Sequence, residues 1–458
     1  MNGVRPILTG WMRGWCKGGE GRCRDCSMAN SIYRLRLQDV LMLAVGALLC
    51  LGVVMVNSAA ATVTGQEGFS VTNRGLRHLI YAATAFITLL AVGKVDYRRV
   101  IGRDGAEPPA QAGSTRWAMF KRCLRKCLSA PAFWFMVAAI IACVMVLVPG
   151  IGRRINGARR WLSLGFTYVQ PSEIAKWATV VFLAWWFTAR PFDIRRFFGG
   201  FVLTFVPVGI VCLLVVKEDF GTAALIGLCA LAMCLAGGVK WWHVGVVLPP
   251  AIAAGVVFIL IESYRIERVL AFLDPWKDPQ GEGYHMIQSL LAYCSGGLFG
   301  TGLGRGIQKL GYLPEDTTDF IFAVICEELG LMGALLTTCL YVGILYVAWQ
   351  IIRRCRDPLA CLLAFGTAAM TGLQALINVA VATVSVPPKG LSLPLVSAGG
   401  SGLVITCATL GLLLNVAKQV DAQILETATD DARRDAGRTS DGNPGPLAAI
   451  ESQQAAGI

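Results

Sequence analysis

Charge is what this 458-residue chain has least of. Only 15% of its residues are Asp, Glu, Lys or Arg, against 55% hydrophobic, and mean hydropathy is +0.59. A soluble domain carries about a quarter charged residues, so that class is excluded. No histidine stands near Cys16, Cys23 and Cys26. The C-x-x-C spacing of Cys23 and Cys26 therefore lacks a fourth ligand for a metal. The glycine-rich run from Gly296 to Gly306 has no strand–turn–helix unit around it, which argues against a dinucleotide fold. No short leader with a cleavage site is evident either. The first apolar run starts near Val40 and continues to full spanning length.

What the chain has instead is a series of apolar runs long enough to cross a bilayer as helices. Ten are expected, over 40–61, 78–93, 132–150, 169–188, 199–216, 219–238, 241–262, 319–349, 359–382 and 397–417. The fold class is an all-α polytopic membrane protein. An even number of spans puts both ends on one side, and basic residues mark that side as cytoplasmic. Seven Lys/Arg lie in the first 38 residues and nine between Lys94 and Lys126, with more in the turns at Arg190–Arg196, Lys240 and Arg353–Arg356. The net charge of +12 then needs no nucleic acid, since a basic surface facing anionic lipid accounts for it. Residues 1–38 are expected as a basic cytoplasmic segment and 39–417 as the membrane domain. Within that domain, 94–130 reads as a cytoplasmic insert and 263–318 as a large outer loop. Residues 418–458 read as a polar, disordered tail. Of the 16 cysteines only Cys294 sits clearly in an outer loop, so no disulfide framework is expected.

Two outer stretches and one acidic residue stand out. Asp319 follows Gly311-Tyr-Leu-Pro-Glu-Asp-Thr-Thr and opens a long apolar run. An ionisable group at the mouth of a span reads as functional, with a helix N-cap as the plainer alternative. Arg153, Arg154, Arg159 and Arg160 break the charge rule on the outside and suit a phosphate ligand, or else form a solvated loop. Trp161 beside them reads, alone, as an interfacial aromatic. Glu173 and Lys176, three apart on a helix, share a face and neutralise one another inside the bundle or line a polar cavity. The glycines of 296–306 let backbone approach a bulky ligand or another helix. His285 is a lone imidazole and reads as a hydrogen-bonding surface residue.

Several motifs in order carry a resemblance: Asn156-Gly-Ala-Arg-Arg-Trp161 with Gln170-Pro-Ser-Glu173 and Lys176, the Gly296–Gly306 loop, Tyr312-Leu-Pro-Glu-Asp-Thr-Thr-Asp319-Phe-Ile-Phe-Ala, Glu327-Glu328-Leu-Gly330, and Pro388-Lys-Gly-Leu-Ser-Leu-Pro-Leu-Val-Ser397-Ala-Gly-Gly-Ser401. Over roughly 40–417 the chain resembles the SEDS family (shape, elongation, division and sporulation; FtsW/RodA-type). Gln308-Lys309-Leu310 and Lys389-Gly390-Leu391 resemble its division branch. The resemblance implies a ten-span peptidoglycan glycosyltransferase in the bacterial cytoplasmic membrane, at the division septum, polymerising undecaprenyl-diphosphate-linked lipid II. It implies Asp319 as the catalytic carboxylate. Arg159, Arg160, Trp161, Glu173, Lys176, Gln288, Ser289, Lys389 and Ser397 are the substrate-binding candidates. A class B penicillin-binding protein and other divisome proteins are the implied partners. A divalent cation, Mg or Mn, is a candidate cofactor beside the cationic side chains, with no organic cofactor.

Departures from the family pattern stand at Lys217-Glu218-Asp219 (usually Gln-Pro-Asp), Ala398 and Gly402 (usually Tyr and Ser), and Asn57 (usually Tyr). They keep open a catalytically silent division scaffold, and the polar cavity keeps open a lipid II flippase. The chemistry read from the residues is attack of an acceptor hydroxyl on an anomeric carbon. Lipid diphosphate leaves, and one carboxylate serves as base.

Overall fold

Each apolar run becomes a helix in the computed structural model, which describes residues 36–63, 74–102, 125–155, 158–163, 165, 168–189, 197–261, 263–281 and 283–440. Most of the basic segment 1–38 with Cys23 and Cys26, residues 103–124 of the insert, and 441–458 of the tail lie outside the described residues. The ten long helices are α1 (Leu37–Val63), α2 (Arg74–Val92), α4 (Pro131–Leu147), α5 (Pro171–Ala189), α6 (Val202–Val216), α7 (Phe220–Ala236), α8 (Trp241–Ile261), α11 (Ile321–Arg354), α12 (Pro358–Ala382) and α13 (Gly400–Ser440). Short helices α3 (Tyr97–Ile101), α9 (Ser263–Leu273) and α10 (Tyr284–Gly296) fall between them.

Six of the ten (α1, α2, α8, α11, α12, α13) are long and apolar enough to cross a membrane on those grounds alone. Helices α4, α6 and α7 are apolar but run 17, 15 and 17 residues. At 1.5 Å per residue these fall short of a hydrocarbon core about 30 Å thick. Helix α6 is preceded by a π turn, Phe197–Phe201, that lengthens it. Helix α5 carries Glu173 and Lys176.

Burial orders the bundle. Helix α5 is buried along nearly its whole length and on all faces, so it is the central helix. It packs against α4, α7 and α12, while α13 lies along α2 and α11 along α1 and α12. Helix α8 has no buried residue and stands at the periphery.

Three expectations change here. The large loop 263–318 is partly helical, through α9 and α10. The arginine-bearing loop is a three-stranded antiparallel sheet of β1 (Gly152–Ile155), β2 (Ala158–Ser163) and β3 (Tyr168–Val169), with Arg153 opposite Trp161 and a bulge between Arg153 and Arg154. Asn156-Gly157, the two-residue hairpin signal, separates β1 from β2 in sequence. The polar tail does not start as coil, because α13 runs on through Ser440. Residues 418–436 contain no Gly or Pro and include four Ala and two each of Gln and Arg, all good helix formers.

Candidate active site

Asp319 does not cap α11. The cap position belongs to Phe320, which makes no side-chain cap hydrogen bond. The Asp319 carboxylate is thereby free of the helix, while the backbone around it is held firmly. The carbonyl oxygens of three successive residues accept bonds: Thr317 from Ala398 N at 2.9 Å, Thr318 from Ser397 Oγ at 2.6 Å, and Asp319 from Asn378 Nδ2 at 2.8 Å. The ring of His285, expected as a hydrogen-bonding surface group, stacks on Phe320 at 6.1 Å.

The carboxyl faces the loop between α12 and α13. A Cβ placed on Gly390 would lie 3.3 Å from Asp319 Oδ2 and 3.7 Å from Arg160 Nη1, so acid and guanidinium border the same glycine. The residue keeps partial solvent access. Burial nonetheless pushes its pKa up to about 7, helped by Glu315 and Asp219 and opposed by Arg160 and Arg268. A carboxyl in that range exchanges a proton near neutral pH.

The sheet positions the arginines. Glu218 accepts the backbone N–H of Arg159 on Oε2 at 2.7 Å, and its carbonyl accepts from Arg160 Nε at 2.6 Å. The next residue, Asp219, caps α7 by accepting from Thr222 N at 3.0 Å and Thr222 Oγ1 at 2.7 Å. The Lys217-Glu218-Asp219 departure therefore lies in the site, where it anchors the Arg-Arg strand. Lys389 joins from the other side, its Nζ 4.6 Å from the centre of the Phe220 ring. Burial lowers its pKa, with Asp219 acting in opposition.

Beneath this, Lys176 Nζ lies 2.8 Å from Glu173 Oε1 and 2.7 Å from Gln374 Oε1. Gln374 Nε2 in turn donates to Ser392 O at 2.8 Å. Lys176 has no exposed surface, whereas Glu173 reaches a cleft lined by Trp161, Gln170, Ser397 and Ser401. Gly402, where the family has Ser, leaves room for that carboxylate. A Cβ there would be 2.9 Å from Glu173 Oε2.

Not every candidate comes to the site. Ser289 is fully buried and its hydroxyl donates to Ala382 O at 2.6 Å, tying α10 to the end of α12. Gln288 is half-buried beside it on α10. Ser397 is a brace, donating to Thr318 and accepting from Leu393 N at 2.7 Å, rather than an open hydroxyl. The glycine-rich loop meets a helix. A Cβ on Gly296 would clash with Cys326 O and one on Gly300 with Glu328 O, where α11 kinks at Gly330 (φ 67°).

Sequence reading missed the residues that pin this loop. Lys309 Nζ lies 2.7 Å from Glu328 Oε1 and donates to Ser58 Oγ at 3.0 Å, and Ser58 Oγ donates to Glu328 at 2.8–2.9 Å. Both ions are buried. It also missed Asn378 and Gln374, whose four-residue spacing on α12 puts two amides on one face. That spacing was the available signal. Among the described residues no group of three His, Cys, Asp or Glu side chains could hold a metal ion.

Fold and site define an integral membrane protein that presents a partly buried acid among arginines at one end of its bundle. A family model described as cell cycle protein (FtsW/RodA/SpoVE) matches residues 114–422, and the chain belongs to that family. It is 34% identical to the probable peptidoglycan glycosyltransferase FtsW of Coxiella burnetii over 82% of this chain and 94% of that protein. It is 35% identical to the protein of the same description from Pseudomonas fluorescens, over 81% and 85%. Among solved structures it is similar to a chain of a peptidoglycan synthase complex that coordinates polymerization and crosslinking. That match has 28% identity and TM-score 0.63, covering 83% of this chain and 97% of the other. The rod shape determining protein RodA of Thermus thermophilus shares the fold at 24% identity and TM-score 0.55, over 82% and 95%.

Proposed function

We propose that this chain is a peptidoglycan glycosyltransferase that polymerises lipid II on the outer face of the bacterial cytoplasmic membrane during cell division, with both termini cytoplasmic. The observation that carries the reading is the Asp319 carboxyl facing Gly390 beside Arg160, where burial pushes its pKa up to about 7. It is a base matched to neutral pH. The names of its relatives support the activity, and similarity to a chain of a synthase complex supports a crosslinking partner of the class B penicillin-binding type.

In the proposed reaction Asp319 accepts the proton of the acceptor hydroxyl as its oxygen bonds to the anomeric carbon of the donor. The bond from that carbon to the diphosphate oxygen breaks, and the lipid diphosphate leaves with the electron pair. Arg159, Arg160 and Lys389 offset the charge that grows on the leaving group. A divalent cation bound with the substrate would add to that charge neutralisation. Glu173 and Lys176 shape the cleft floor next to Trp161.

The test is direct. Purified protein, alone and with candidate partners, is given lipid II and scored for glycan chains. Polymer that depends on Asp319 supports the reading. Absence of polymer under every partner combination returns the chain to a scaffold role.

A further inference from the structure

Helix α11 runs 34 residues from Ile321, next to Asp319, to Arg354. At 1.5 Å per residue Arg354 therefore lies at the opposite end of the bundle from the acid. A second cavity opens there, bounded by Arg98, Arg354, Arg356, Pro358, Val420 and Ile424. The wall contributed by α13 is fixed in place. Asn415 Nδ2 and Lys418 Nζ donate to Gly93 O at 3.4 and 3.2 Å, and Asp421 Oδ2 accepts from Gln38 N at 3.1 Å. Two carboxylates border the cavity, Asp357 and Glu426. Asp357 is already committed: Tyr97 Oη donates to it at 2.8 Å, Arg98 Nε at 3.3 Å and Leu359 N at 3.1 Å. Glu426 is exposed. Arg354 and Arg356 make no ion pair or side-chain hydrogen bond among the described residues, and both are exposed.

We propose that this cavity binds the phosphodiester headgroup of an anionic phospholipid from the leaflet on that side. Two uncommitted guanidinium groups, with Arg98 beside them, suit phosphate oxygens through paired N–H donors. Basic pockets between spans at the cytoplasmic level are where such headgroups dock. The apolar wall of Pro358, Val420 and Ile424 decides between sources. It matches the glycerol and first methylenes of a lipid and offers a free phosphate ion nothing.

The full chain in detergent micelles is titrated with phosphatidylglycerol, with phosphatidylcholine of the same acyl chains, and with inorganic phosphate. Bound lipid is read by native mass spectrometry. Phosphatidylglycerol should be retained preferentially, and the preference should drop roughly five-fold per arginine removed in Arg354→Gln with Arg356→Gln. The Lys pair at the same positions keeps the charge without the paired donors and should retain only part of it, and Lys277→Gln, on the far loop, should change nothing. Both arginines are exposed, so the variants should melt with the parent in phosphatidylcholine. Equal retention of the two lipids, or an unchanged preference in the double Gln variant, overturns the proposal. So does full displacement of phosphatidylglycerol by inorganic phosphate, which would identify a free-anion site. No lipid II enters this measurement, so its outcome is independent of the activity proposed above.

Discussion

Asn378 Nδ2 donates to the carbonyl oxygen of Asp319 at 2.8 Å and to that of Leu391 at 2.7 Å. Both partners can only accept, so the amide's orientation follows from chemistry. One buried side chain on α12 therefore fixes the backbone of the proposed base and of the Lys389–Leu391 loop that faces it.

Asn378→Ala should leave the buried Leu391 carbonyl and the half-buried Asp319 carbonyl short of a partner, at about 1–3 kcal/mol of stability. Its larger effect should be on kcat, by on the order of a hundred-fold, because a misplaced base loses reactivity while binding persists. Steady-state kinetics with lipid II checks this. A variant that folds and keeps the parental kcat would show that Asn378 serves packing alone.

The pair on α5 makes a second expectation. Lys176 is fully buried between Glu173 Oε1 at 2.8 Å and Gln374 Oε1 at 2.7 Å. Removing one ion leaves the other uncompensated at about 3–5 kcal/mol. Lys176→Met should destabilise more than Glu173→Gln combined with Lys176→Met. A double-mutant cycle on thermal unfolding reads the coupling, and strict additivity would mean that the two charges do not support each other.

Much of this architecture could be read from the residues, for a physical reason. Apolar runs report burial or lipid directly, so all ten long helices overlap the expected segments. The Glu173–Lys176 contact was legible because i,i+3 spacing is local. The Lys309–Glu328–Ser58 cluster was not, since its members come from three elements as far apart in sequence as 270 residues. Glu218 was seen as a departure but not as an anchor, because its partners lie some 58 residues away. Ser289, a substrate-binding candidate within the expected outer loop, is a buried tie to Ala382. A side chain's partner across the fold decides between those readings, and the local pattern does not carry it.

Orientation has its own test. Cys294 on α10 is exposed and Cys355 follows Arg353 and Arg354 at the other end of α11. A membrane-impermeant thiol reagent applied to intact cells should label a variant retaining only Cys294 and miss one retaining only Cys355. The reverse pattern would put Asp319 on the inside and remove the proposed substrate from its reach.

Asp319→Asn separates chemistry from architecture. The change keeps size and leaves the backbone carbonyl bond from Asn378 intact, but the amide cannot take a proton. Loss of a general base typically costs roughly a hundred- to ten-thousand-fold in rate. The parent's polymerisation rate should rise with pH through a midpoint near 7, as the Asp319 carboxyl, pushed up to about 7, ionises. Stability runs the opposite way. A carboxyl whose folded pKa lies above its unfolded value near 3.9 favours the fold while protonated, and that contribution is lost as pH rises through 7. Asn, neutral throughout, should therefore hold its melting temperature from pH 6 to 8 while the parent's falls. A variant with flat stability and no polymer fits the assignment on both counts. Near-parental polymer from Asp319→Asn would remove the residue from the reaction, whatever its melting curve shows.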